Sequence, residues 1–292
     1  MKHLKQAVVL LSLCAVTGLA PAAKQEVQDG IEVKRMSAVR VFAPEAAVNE
    51  AAAQQYAELM GQAKQKGALV AASDPQVQRL RAIAKRLIPY TTRWNPAAAK
   101  WEWQVNLLDS PQVNAFCMPG GRIAFFTGIL DQLKLTDDEV AAVMGHEIAH
   151  ALREHGRERM AKSGLTSLGA RALGAIGAGI FGIDPNITNT VTGAAGQMLV
   201  LKFSRDEERE GDLVGLDLAA RAGYDPRAGI ALWNKMAALN KRTPIDILST
   251  HPGGANRIKI MQDHMNVLLP LYARSKGTTV AKLPPYRTIA LK

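Results

Sequence analysis

The stretch TDDEVAAVMGHEIAHALREHGRERMAK, Thr136 to Lys162, carries both a helix start and a chemical signature. Thr136 is a good N-cap, and Glu139 stands three residues later as in a capping box. The acids Asp137, Asp138 and Glu139 suit the positive end of a helix. The predicted helix runs through Val140, Val143 and Met144 into His146-Glu147-Ile148-Ala149-His150. Positions i and i+4 share a helix face, so both imidazoles can reach one metal ion. Zinc held this way lowers the pKa of a bound water from roughly 15.7 towards about 7. Glu147, one position after the first ligand, can take that proton and return it to a leaving amine. The flanking residues are apolar, and buried His and Glu without partners would be costly there. Coordination therefore explains the pattern better than a solvated charged face.

A catalytic zinc has three protein ligands and one open position. His155 lies five residues beyond His150 and, on a continuous helix, points about 140° further round, which makes it a poor third ligand. The metzincin continuation needs Gly and His where this chain has Arg153 and Gly156, so that class is excluded. Later in the chain, His251 and His264 are the other histidines outside the motif, and the other solution is a glutamate from a second helix. The segment FSRDEEREGDLVGLDLAARAG, 203–223, reads as such a helix with Gly223 as its stop. It offers Glu207, Glu208 and Glu210, and spacing alone does not choose among them. Glu208 and Asp212 are i and i+4. If Glu208 is the ligand, Asp212 can hydrogen-bond a ligand histidine.

The rest of the chain predicts an α+β fold, mainly helical, with a small sheet or hairpin next to the HExxH helix. Residues 76–90 place Val77, Leu80, Ile83, Leu87 and Ile88 at helical spacing, and Pro89 ends the run. Trp101 to Leu108 alternates as a strand. Asn114–Met118 and Arg122–Phe126 flank Pro119-Gly120-Gly121 and read as a hairpin. The expected organisation is a signal peptide over 1–22, a helical lead-in over 23–75, a catalytic domain over 76–272 and an extended tail over 273–292.

The 292 residues are 48% hydrophobic and 21% charged, which excludes wholesale disorder and a coiled coil. The net charge of +10 invites a nucleic-acid reading. The basic residues are scattered, however, and residues 153–162 look like the solvated face of the HExxH helix, so no nucleic-acid partner is expected. Two cysteines exclude a disulfide scaffold. Lys2 and Lys5, the apolar run 7–20 and Ala20-Pro21-Ala22 form a secretory leader. Cys14 offers a lipid anchor, and with it peripheral membrane association, as the alternative. Cys117 reads as a small buried hydrophobe. The Gly- and Ala-rich run 163–201 is broken by Arg171 and Asp184-Pro185-Asn186, too short for a span. It reads as close-packed helices or a flap over the cleft.

HEIAH, then SRDEEREGD about 50 residues later, then THPGGANRI, resembles the zinc peptidases of the HtpX and CAAX-prenyl-protease type, metallopeptidase family forty-eight. The resemblance covers roughly residues 75–270 and implies a zincin-like, gluzincin-like domain with one zinc per chain. It assigns His146, His150 and Glu208 as ligands, Glu147 as general base and Asp212 as support. Members usually have alanine before that aspartate, where this chain has Gly211. The resemblance also implies that His251, in His-Pro, donates to the tetrahedral oxyanion, with Arg257 nearby on the substrate side. It makes Asn114-Ala115-Phe116 part of an edge strand that pairs with extended substrate. The expectation is a secreted endopeptidase acting on unfolded or damaged polypeptides in the periplasm of a Gram-negative bacterium. The alternatives are a narrow-specificity processing protease and a chaperone-like binding protein with an idle metal site.

Overall fold

The computed structural model describes residues 29–166, 203–253 and 255–291. The signal peptide expected over 1–22, with Cys14, lies outside the described residues. So does the Gly-rich run from 167 to 201.

Three strands form the sheet: β1 (Gln104–Leu108), β2 (Ala115–Met118) and β3 (Arg122–Phe126). β3 is central, parallel to β1 and antiparallel to β2. Gly120 and Gly121, at φ +80° and +84°, make the turn of the β2–β3 hairpin, a left-handed backbone that glycine adopts without steric cost. The strand expected over Trp101–Leu108 is shorter, and the two tryptophans pack on each other before it starts.

Alternation along the strands splits the core into two layers. Val105, Leu107, Ala115, Ile123 and Phe125 face one layer. Leu108, Phe116, Met118, Ala124 and Phe126 face the other. Helix α1 (Glu45–Gln65) covers this second face with Val48, Ala52, Tyr56, Leu59 and Ala63, a single stripe at three- and four-residue spacing. Tyr56 Oη donates to Ile123 O at 2.6 Å, fixing α1 to the central strand.

The first face is covered by α2 (Pro75–Leu87) and by the helices that build the site. Asp74 caps α2, accepting from Gln76 N at 2.8 Å, and its buried stripe is Val77, Leu80, Ile83, Ala84 and Leu87. A 3-10 turn with Pro89 follows it. After α3 (Thr127–Leu133) come α4 (Asp137–Leu152) and α5 (His155–Thr166), then α6 (Arg205–Arg221). α7 (Ala228–Asn240), the short α8 (Ile247–Thr250), α9 (Ala255–Asp263) and α10 (Met265–Ser275) complete the helices described. No helix among the described residues is long and apolar enough to cross a membrane.

Two segments are more tightly integrated than their sequence suggests. Part of the lead-in is the back layer of the sheet, and Ile31 of the same stretch belongs to the main core. The tail folds back over α4: Tyr286 packs on the core, its hydroxyl lies 3.1 Å from Thr136 Oγ1, and Thr288 Oγ1 donates to Glu139.

Candidate metal centre and active site

The capping box of α4 forms as its sequence requires. Thr136 Oγ1 accepts from Glu139 N, and Glu139 Oε2 accepts from Thr136 N at 2.8 Å. Glu139 also takes Lys235 Nζ at 2.7 Å, so the start of α4 is pinned by a buried ion pair from α7. A matching box starts α6, where Ser204 accepts from Glu207 N and Glu207 accepts from Ser204 N at 2.7 Å.

The two capped helices cross at Gly145 and Gly215. A Cβ on Gly215 would lie 2.6 Å from His146 N, and one on Gly145 would lie 2.6 Å from Gly215 O. Backbones this close need residues without side chains. The contact brings Glu208 and Asp212 of α6 against the imidazoles of α4.

The result is a cluster of His146, His150, Glu208 and His251 whose ligand atoms all lie within 4.8 Å of one another. His146 Nε2 is 3.0 Å from His150 Nε2 and 3.2 Å from His251 Nδ1. His251 Nδ1 is 2.9 Å from Glu208 Oε1. His150 Nε2 and His146 Nε2 lie 3.6 and 3.7 Å from the Glu208 oxygens. Glu208 has 0% exposure, and Glu147, His150 and His251 no more than 5%.

The electrostatics suit a cation. Burial, reinforced by the charges of His146 and His155, pushes the His150 pKa well down, leaving a neutral imidazole with a free lone pair. Burial alone would raise Glu208, but His251, His146 and Arg257 outweigh it and hold the carboxyl below its ordinary range. Burial raises Glu147, moderated by His251 and His146. Glu147 Oε1 is buried without a hydrogen-bond partner, 3.7 Å from His251 Nε2. Two imidazoles and a carboxylate, crowded together beside an orphaned carboxylate oxygen, are the donor set zinc takes.

The expected site residues divide by position. His146 and His150, one turn apart on α4, meet Glu208, the one of the three candidate glutamates that the family resemblance implies, and Glu147 lies beside them. Asp212 Oδ1 lies 3.1 Å from His146 Nδ1. His251, expected only as an oxyanion donor, is drawn into the cluster itself. Burial would lower its pKa, but Glu147 and Glu208 raise it. Arg257, expected beside substrate, has its fork behind the ligands. It donates to Asp212 at 2.6 and 2.5 Å and to Glu208, and stacks on Trp233 at 3.9 Å. These charges take Asp212, which burial alone would raise, down to about 2. Asn114 precedes the edge strand β2, with its side chain on Ala115 N at 2.9 Å. Ala115 is buried in the main core, and Phe116 turns to the back layer against Tyr56 and Phe126. Whatever Phe116 offers an extended substrate comes from its main chain.

Two residues escaped the sequence reading. On a continuous helix His155 would point about 140° away from His150. Instead α4 stops at Leu152, Glu154 takes a left-handed φ of +55°, and His155 folds back so that its Nδ1 lies 2.9 Å from His150 Nδ1. It remains outside the cluster but stands behind a ligand, with Glu210 3.7 Å from its other nitrogen. Phe203 stacks on His150 with ring centroids 3.9 Å apart. The basic run after α4 is also not a solvated face. Arg153 reaches Glu210, Arg157 reaches Glu154 and Ala43 O, and Arg159 reaches Glu207.

Two imidazoles on one helix, a carboxylate on the helix that crosses it and a free glutamate oxygen beside them define a zinc metallopeptidase centre of the HExxH kind. The comparisons agree: a model described as Peptidase family M48 matches residues 74–264, and the chain belongs to that family, whose metal is zinc. The mitochondrial metalloendopeptidase OMA1 of Arabidopsis thaliana is 39% identical over 159 residues, 54% of this chain and 31% of that protein. The mitochondrial metalloendopeptidase OMA1 of Bos taurus is 33% identical over 195 residues, 63% of this chain and 35% of its own length. Metalloprotease LoiP of Escherichia coli is 32% identical over 155 residues, 53% of this chain and 59% of its own. The chain thus spans between about a third and three fifths of these relatives. The expected location in a Gram-negative periplasm is corrected here: the relatives include proteins named as mitochondrial, from a plant and a mammal.

Proposed function

We propose that the chain is a zinc-dependent endopeptidase that hydrolyses peptide bonds of unfolded or damaged polypeptides. His146, His150 and Glu208 would hold the metal, with Asp212 and His155 fixing the two rings from behind. Zinc held there supplies a Lewis acid that makes water nucleophilic near neutral pH. Glu147, whose Oε1 is unpaired beside these ligands, would take a proton from the attacking water and return it to the leaving amine. His251, between Glu147 and Glu208, is placed to donate to the oxyanion as it develops. Edge strand β2 pairs with extended substrate through its main chain, which gives affinity with little sequence selectivity. This fits polypeptides that have lost their fold.

The observation that carries this reading is Glu147 Oε1, buried, unpaired and beside the metal cluster. A carboxylate oxygen so placed is costly unless it has work to do. The test is Glu147→Gln in protein whose zinc content equals that of wild type. Unfolded casein should be cut at least about 100-fold more slowly, the usual range for a lost general base. Equal cutting by the variant refutes the mechanism. A binder with an idle metal site would hold casein in both forms and cut it in neither.

A further inference from the structure

A residue other than glycine at positive φ persists only where its surroundings hold it there. Glu154, at φ +55°, is buried, and its carboxylate is gripped from two sides. Arg157 of α5 donates to Oε1 at 2.9 Å. Arg40 Nε lies 2.6 Å from Oε2. Arg40 belongs to a 3-10 turn, Ala38–Phe42, which precedes α1 and lies outside the residues 74–264 that the family model matches. The turn is itself anchored. Ser37 caps it by accepting from Val39 N, and Arg40 Nη1 donates to Ser37 O at 3.0 Å. Val39 and the buried Ala43 pack into the back layer of the sheet. Ala43 O accepts from Arg157 Nε at 2.5 Å. Lys34 O, in the same stretch, accepts from Arg153, which also holds Glu210.

We infer that Arg40 and Glu154 are positioning residues for the zinc site, acting through His155 on His150, a role that rests on the metal ligands proposed above. With the grip on its carboxylate lost, Glu154 is free to relax to right-handed angles. α4 can then run on, and His155 swings about 140° round the helix from His150. In the gripped loop, His155 Nδ1 stands 2.9 Å from His150 Nδ1, and its Nε2 faces Glu210 at 3.7 Å. His150 Nδ1 thus has a fixed partner, and its Nε2 keeps its lone pair towards the cluster. Arg40, Glu154, His155 and His150 form one line from the stretch before α1 to a ligand nitrogen. A segment remote from the HExxH motif in sequence therefore sets how tightly the metal is held.

The test measures zinc affinity on the full chain, by competition against a chromogenic chelator, with far-UV circular dichroism confirming that each variant folds. Arg40→Ala and Glu154→Ala should each weaken zinc binding about tenfold, the low end of the loss when a ligand imidazole is left unsupported. Arg40→Lys, which keeps a cation within reach of Glu154, should recover most of it. Glu154→Gly should bind zinc more tightly than Glu154→Ala, because glycine takes the left-handed angle freely. A residue that only packs predicts the reverse, since glycine loosens the chain. In a His155→Ala background, Arg40→Ala should add no further loss, as expected of residues acting in series. Unchanged affinity in Arg40→Ala, or the same tenfold loss when His155 is already absent, overturns the inference and leaves the zinc centre standing. If Arg40→Ala does not fold, the Glu154 pair decides, and a glycine variant no better than the alanine one overturns it. A His150→Ala protein that binds zinc as tightly as wild type overturns the ligand assignment, and the inference with it.

Discussion

His155 shows how one backbone angle can change the meaning of a side chain. On an unbroken helix it would face away from the metal. The left-handed Glu154 turns it onto the back of His150, where the two Nδ1 atoms are 2.9 Å apart. A ligand imidazole needs its second nitrogen held, so that the first keeps its lone pair on the metal. His155→Ala should therefore weaken zinc binding by about 10- to 100-fold, the usual cost of losing such a partner. Competition against a chromogenic zinc chelator measures this directly, and unchanged affinity would reduce His155 to a packing residue. Asp212→Ala should produce a loss of the same order through His146, and a larger disturbance besides, because it frees the buried Arg257. The reach of Glu147 and the i, i+4 geometry of the two histidines were legible because they are local. The fold-back of His155 was not. Nothing in Arg153-Glu154 advertises a positive φ, which glycine or asparagine would have signalled.

Elements bring the ligands together, and here the sequence was more informative. The capping box of α4, the β2–β3 turn, the end of α2 just before Pro89 and the stop of α6 at Gly223 follow from residues a few positions apart. The α4–α6 crossing did not, since Gly145 and Gly215 have meaning only once paired. Gly215→Ala should cost about 1–3 kcal/mol, the range for overpacking, because its Cβ would press on the main chain of His146 rather than on a movable side chain. Urea unfolding measures it, and a cost below a few tenths would mean the crossing is loose. The start of α6 gives a pH dependence. Burial alone would raise Glu207, but the amide and hydroxyl of Ser204 and the charge of Arg159 bring its pKa below the ordinary 4.5. A carboxyl lowered on folding stabilises the fold above its unfolded value and loses that contribution as pH falls through the folded one. Glu207→Ala should thus cost on the order of 1 kcal/mol at pH 7 and progressively less below pH 4.5. Urea midpoints of the two proteins that stay equally far apart down to pH 3 would contradict this.

At the scale of the molecule, the question is how much of the fold depends on the metal. The lead-in and the tail looked peripheral in the sequence, because α1 has no large apolar run and the tail no periodicity. Yet α1 supplies the back layer of the sheet, and the tail ties onto the cap of α4. Such long-range partners are invisible to local patterning. His251 reaches the cluster by the same kind of contact, from 43 residues beyond Glu208. Two apolar layers on either face of the sheet give the chain a core independent of the site. The cluster groups also find partners among themselves and with Asp212, His155 and Arg257. Removing zinc should therefore lower stability without unfolding the protein, unlike small zinc modules whose fold is the metal site. With free zinc at 100 times its Kd, binding adds about 2.7 kcal/mol. For a chain of this size that amounts to a Tm shift of roughly 4–5 °C. Calorimetry with and without a strong chelator should show one cooperative transition in both cases, displaced by that amount. A chelated protein with no transition would place the metal within the fold, and an unmoved Tm would mean that zinc does not bind the native cluster.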